Sequence, residues 1–137
     1  LDLAAFLGVL GAHGIECVLD VRENPFSRKP GFSGKSLSQA LEAAGIRYLH
    51  IRQLGTPRPL RERVRSDEDY ERFFAEMRQY LTTQQDAVDQ AYNYVRRMTC
   101  CLVCYELSVN ACHRKVVAEA IRDRSGDGLD VVHLRTE

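Results

Sequence analysis

The chain has 137 residues, of which 45% are hydrophobic and 28% charged, which is one ordinary domain with enough apolar material for its own core. Its 19 basic and 19 acidic residues cancel, which excludes a global field drawing the protein to nucleic acid or a membrane surface. Any anion binding must come from a local cluster.

Residues 3 to 13, "LAAFLGVLGAH", have the apolar spacing of a helix, and Gly14 stops it. "IECVLDVR" is short, apolar and β-branched, and reads as a buried strand. "ENPFSRKPGFSG" holds two prolines and two glycines and reads as a loop. Ser36 is placed to cap a short helix, "LSQALEAAG", ended by Gly45. "IRYLHIR" alternates, with Ile46, Tyr48, His50 and Arg52 on one face and Arg47, Leu49 and Ile51 on the other, so it predicts a strand. "QLGTPRPLRERVRS" reads as a second irregular loop. Tyr70, Phe73, Phe74, Met77 and Leu81 follow a helical rhythm, which Val88, Ala91, Tyr92 and Val95 resume after Thr82 and Thr83. The stretch from Asp67 to Met98 therefore predicts two helices. "TCCLVCYE" is the most hydrophobic strand, hence the expected centre of a sheet. "KVVAEAIRD" predicts a helix, and "LDVVHL" a last strand after the turn "SGDG".

Strands alternating with helices imply a mainly parallel sheet covered on both faces. The predicted fold is a single three-layer, doubly wound α/β domain over residues 1–137. In such folds ligands bind at the carboxyl ends of the strands. Here those ends carry "DVRENPFSRKPGF" and "YELSVNACHR", the stretches richest in reactive and cationic groups.

No apolar run reaches the ~18–20 residues of a membrane span, and no secretory leader is visible. Leu1 is not an initiator Met, so a longer parent chain is expected. The five cysteines are odd in number and lack the spacing of a disulfide framework, so the expected compartment is the cytoplasm. Cys101 and Cys104 form a C-x-x-C, but the intervening "LV" is strand, not turn, chemistry. Residues three apart in a strand face opposite ways. Cys17, Cys100, Cys101 and Cys104 are expected as small core hydrophobes. No metal and no cofactor are expected.

Cys112 differs, because it lies just before a helix. The helix N-terminus together with His113 and Arg114 favours a thiolate, a good nucleophile. Equally, Cys112 could be a half-buried structural residue. The tyrosine-phosphatase spacing C-x5-R is absent, since Ala118 stands where the arginine would. Arg22, Arg28, Lys29 and Lys35 make the first loop cationic, and arginine's planar fork suits phosphate or carboxylate. Asp20 and Arg22 share a side of their strand and could instead pair with each other. Glu106 is a candidate base or a holder of an arginine. His13, His50 and His133 read as structural or exposed.

"DVRENPFSRKPGFSGKSLSQALEAAGIRYLHIRQLG" followed by "CLVCYELSVNACHRKVVAEAI" resembles the DUF488 family of small bacterial and archaeal proteins. The resemblance implies a compact α/β domain. It implies that Asp20, Arg22, Pro25, Ser27, Arg28, Phe32, Gly45, Tyr48, Leu54, Gly55, Glu106, Cys112, His113 and Arg114 occupy signature positions. Members usually open with a strand reading like "T-I-G-H-S", which has no counterpart here, so that first strand is expected to be missing. The resemblance implies no reaction.

The expectation is an enzyme or ligand-binding domain acting on an anionic, phosphorylated or nucleotide-like small molecule. Asp20, Arg22, Ser27, Arg28 and Arg114 are the ligand-binding candidates. Cys112 is the nucleophile or redox thiol, His113 the proton carrier and Glu106 the positioning acid. The alternative is a non-catalytic nucleic-acid or protein interaction module with a structural Cys112. A weaker one is a metal site through Cys112 and His113. The sequence leaves the oligomeric state open.

Overall fold

The computed structural model describes residues 2–104 and 113–126. In chain order these form α1 (Leu3–Ala12), β1 (Cys17–Asp20), α2 (Gly34–Ala43), β2 (Arg47–His50), a 3-10 turn (Arg52–Leu54), α3 (Arg58–Asp67), α4 (Tyr70–Thr82), α5 (Gln85–Val95), β3 (Cys100–Val103) and α6 (Arg114–Ser125). The strand expected at 129–134 and the end of the one expected over 99–106 lie outside the described residues. So do Glu106, Cys112 and His133.

The predicted break between α4 and α5 is present, and its cause is local. The hydroxyls of Thr82 and Thr83 donate to the carbonyls of Gln79 and Tyr80, each at 2.6 Å, offering the backbone an alternative to the next helical turn. Asp69 caps α4, its carboxylate accepting from the Arg72 amide at 3.0 Å.

The segment 53–66 was expected to be irregular, and the structure corrects this. It contains most of the 3-10 turn and most of α3. Pro57 caps α3 and Pro59 falls in its first turn, where a missing N–H leaves no bond unmade. Arg58 and Glu62 pair one turn apart at 2.8 Å. No residue of α3 is buried, so apolar periodicity had nothing to report.

The three described strands form one parallel sheet in the order β2-β1-β3. Cys17 pairs in register with both Arg47 and Cys100, and Asp20 with both His50 and Val103. Among the described residues β1, not the "TCCLVCYE" strand, is the middle one. Every residue of β1 is buried, whereas those of β3 are half-buried.

Cys17, Leu19 and Val21 face one way, into a core with Met77, Leu81, Val88, Ala91, Val116, Val117 and Ile121 from α4, α5 and α6. Val18 faces the other way, into a core with Leu10, Leu37, Leu41 and Ile46 from α1, α2 and the entry to β2. Helices therefore cover both faces of the sheet, and the domain is three-layered α/β. Removing each large side chain of these cores from water contributes about 1.5–3 kcal/mol. Among the described residues no helix is long and apolar enough to cross a membrane.

Candidate functional site

The backbone leaving β1, from Val21 to Glu23, is met by groups from three other elements. The ring Nε2 of His113, just before α6, donates to the Val21 carbonyl at 2.7 Å. The ring Nε2 of His50, at the end of β2, donates to the Arg22 carbonyl at 2.7 Å. Gly55, after the 3-10 turn, packs on the same peptide. A Cβ there would lie 2.1 Å from the Glu23 nitrogen and 2.5 Å from its Cα. The φ of Gly55, −76°, is ordinary, so glycine is required for space rather than for conformation.

Asp20 and Arg22 are 0% and 3% exposed. Arg22 grips the carboxylate with both prongs, Nε to Oδ1 at 2.7 Å and Nη2 to Oδ2 at 2.6 Å. Its Nη1 donates to the Phe32 carbonyl at 2.8 Å, tying the 23–33 loop to the strand. The Tyr48 hydroxyl donates to Asp20 Oδ2 at 2.5 Å. Burial first, and then this bond to Asp20, raise the Tyr48 pKa above its ordinary value, so the hydroxyl keeps its proton. Arg22 is thus held by the pairing with Asp20 that the strand geometry allowed.

His113 is 4% exposed. Burial pushes its pKa down to about 4, against the bond to Val21, which favours the charged form; the charges of Arg114 and Arg61 lower it further. The ring is neutral at pH 7. A carbonyl can only accept, so Nε2 carries the hydrogen and Nδ1 carries the lone pair. That leaves Nδ1 as the atom available to take a proton or to ligate.

Arg61, from α3, donates through Nη1 to Glu23 Oε1 at 2.8 Å and to the Thr56 carbonyl at 2.6 Å. It was missed in the sequence, where it lay inside an expected loop. The proline pair ahead of "LRER" was the signal for a helix start that would have placed it. Arg114 is the first residue of α6, half-buried, and close enough to act electrostatically on both His113 and Cys101.

Ser27 and Arg28 sit in the loop after β1. The Ser27 hydroxyl accepts from the Lys29 amide at 3.1 Å, and the Ser27 amide donates to Ser33 Oγ at 3.0 Å, so Ser27 shapes the loop. Arg28 is exposed. The structure therefore brings Asp20, Arg22 and His113 together with Tyr48, His50, Thr56 and Arg61. Glu106 and Cys112 lie outside the described residues.

Two of the other cysteines, Cys100 and Cys101, are poor nucleophiles, whereas the bond with Cys100 lowers the Cys17 pKa and Cys104 is held in a disulfide. The Cys100 thiol is pushed up by its bond with Cys17, its register partner, and by burial. Cys101 is pushed up to about 11 by burial. Among the described residues no three His, Cys, Asp or Glu side chains gather as metal ligands would. Two open grooves lie elsewhere. One of about 470 Å³ is bordered by Glu16 and Arg47 at the amino ends of the strands. The other, about 380 Å³, borders the α4–α5 turn at Gln84 and Asp86.

A family model described as "Domain of unknown function DUF488" matches residues 2–121, which include every candidate residue named above. No curated protein and no solved structure matches the chain.

Proposed function

The chain belongs to the DUF488 family, and from that premise we propose that the carboxyl edge of its sheet takes an anionic small molecule, phosphorylated or nucleotide-like, as an enzyme or a ligand-binding protein. The observation that carries this reading is where polar groups are buried. Among the described residues the buried polar or charged ones are Asp20, Arg22, Thr56 and His113, and all four gather at that edge. Burying such groups costs free energy unless each is paired. A fold that concentrates them where α/β domains bind ligands has a rigid polar frame there.

In this reading Asp20, Arg22 and Tyr48 are the frame, and Ser27 shapes the loop above it. Arg28 and Arg114 hold the anion, aided by the positive end of α6. His113 moves or orients a proton through Nδ1. Cys112 is the nucleophile or redox thiol of the reduced chain, and Glu106 positions an arginine; both enter on the sequence motif alone.

The test is a thermal-shift series with phosphate, sulfate and nucleotides against chloride at matched ionic strength. A ligand at a hundredfold excess over its dissociation constant should stabilise the fold by about 2.7 kcal/mol. Arg114→Ala and Arg28→Ala should each lose most of that response. Equal shifts in wild type and both variants would end this reading. Binding confined to long nucleic acid and collapsing with salt would favour the interaction module instead.

A further inference from the structure

The loop between β1 and α2 holds two phenylalanines in opposite situations. Phe32 packs into the core, its ring 5.4 Å from that of Phe6, with the Lys29 ammonium 5.0 Å from its centroid. Phe26 is 62% exposed. A lone exposed apolar residue is ordinary on a mobile loop, but this loop is braced from inside. The Gly34 amide donates to the Pro25 carbonyl at 2.8 Å. Ser33 Oγ both receives the Ser27 amide, at 3.0 Å, and donates to the Ser27 carbonyl, at 3.1 Å. Arg22 anchors the Phe32 carbonyl from below at 2.8 Å. Phe26 is therefore displayed on a built support rather than left unpacked by slack.

The sequence that follows has one sign of charge. No Asp or Glu occurs from Pro25 to Leu41, while Arg28, Lys29 and Lys35 do. None of these three cations has a carboxylate partner among the described residues. The support also reaches the polar frame. A Cβ on Gly34 would meet Pro25 at 2.9 Å and the Tyr48 hydroxyl at 3.3 Å, and that hydroxyl is bonded to Asp20. A displayed aromatic ring in a stretch that carries cations without carboxylate partners matches a ligand with a flat apolar face and a phosphate.

We infer that Phe26 is a stacking platform for a nucleobase whose phosphate is held by Arg28, so that the anion taken at this edge belongs to a nucleotide. This deepens the anion-site reading and rests on it. The shared chemistry is a base joined to a phosphate, in a free nucleotide or at the end of a single strand.

The test uses the fact that the chain contains no tryptophan. Phe26→Trp introduces one reporter at the platform. Adenosine monophosphate should quench it, and ribose 5-phosphate, which has the phosphate without the base, should not. By calorimetry Phe26→Ala should weaken adenosine monophosphate by about 5- to 150-fold, the loss expected for one stacked base, and leave ribose 5-phosphate unchanged. Arg28→Ala should weaken both. A short oligo(dA) binding far more tightly than the mononucleotide, with steep salt dependence, would identify a strand as the source; equal affinities would identify the free nucleotide. Adenosine monophosphate binding no tighter than ribose 5-phosphate, or unaffected by Phe26→Ala, overturns the platform while the anion site stands. Neither compound binding would end both.

Discussion

Replacing Arg22 by Met tests whether the buried pair at the end of β1 frames the site. The substitution keeps most of the side chain's length and apolar packing but removes the guanidinium. Asp20 would then sit at 0% exposure, having lost both bonds from the fork, at 2.7 and 2.6 Å. It would keep the Tyr48 hydroxyl. Removing one partner of a buried ion pair costs about 3–5 kcal/mol, mostly as the penalty for the charge left behind. A domain of 137 residues unfolds with an entropy of about 0.3 kcal/mol per degree, so Tm should fall by about 10–17 °C. Asp20→Leu should cost a similar amount, because it strands the guanidinium. Asp20→Leu with Arg22→Met and Tyr48→Phe removes the charges and the hydroxyl together and should recover much of the loss. Urea unfolding, with the slope checked for constancy, measures all three variants. If Arg22→Met costs under about 1 kcal/mol, or if the combined variant is as unstable as the sum of its parts, the pair is not a coupled, desolvated unit. Asp20 and Arg22 then do not frame the site.

Two further predictions follow from the contacts around it. Burial lowers the His113 pKa from an ordinary 6.5 to about 4 in the folded chain, so between these pH values the unfolded chain binds a proton that the folded chain does not. Stability should fall as pH drops through that window, by up to about 3 kcal/mol, and His113→Gln should flatten the profile; an unchanged slope would show that other groups dominate. Gly55→Ala forces a Cβ to 2.1 Å from the Glu23 nitrogen, and the backbone must move over 1 Å to restore an ordinary contact. Destabilisation of about 3 kcal/mol or more is expected on chemical denaturation, and a change within about 0.5 kcal/mol would mean that the 3-10 turn does not brace the strand.

The alternation of apolar stretches determined the fold class, because strand and helix periods differ and a chain this short must bury both kinds of element on one sheet. "IRYLHIR" fixed the two faces of β2: Ile46 and Tyr48 do join one core, and Leu49 and Ile51 the other. The stretches "DVRENPFSRKPGF" and "YELSVNACHR" were legible as polar ends of apolar strands, and the winding of a parallel sheet was enough to bring Arg22 and His113 to one edge.

Only the tertiary structure decided who pairs with whom there. Asp20 and Arg22 in a strand could equally have met each other or a ligand; burial on both sides made the mutual pairing the way to keep two charges out of water. Nothing in the sequence separates His113 from Arg114 by burial, yet helix geometry buries the first against Val21 and leaves the second half-exposed. Arg61 and Gly55 carry no periodic signal, because their roles depend on a backbone some thirty to forty residues away in sequence. That β1 is the middle one of the three described strands was equally illegible. A strand's place in a sheet depends on which neighbours supply hydrogen bonds to both edges, and composition along the strand does not encode those partners.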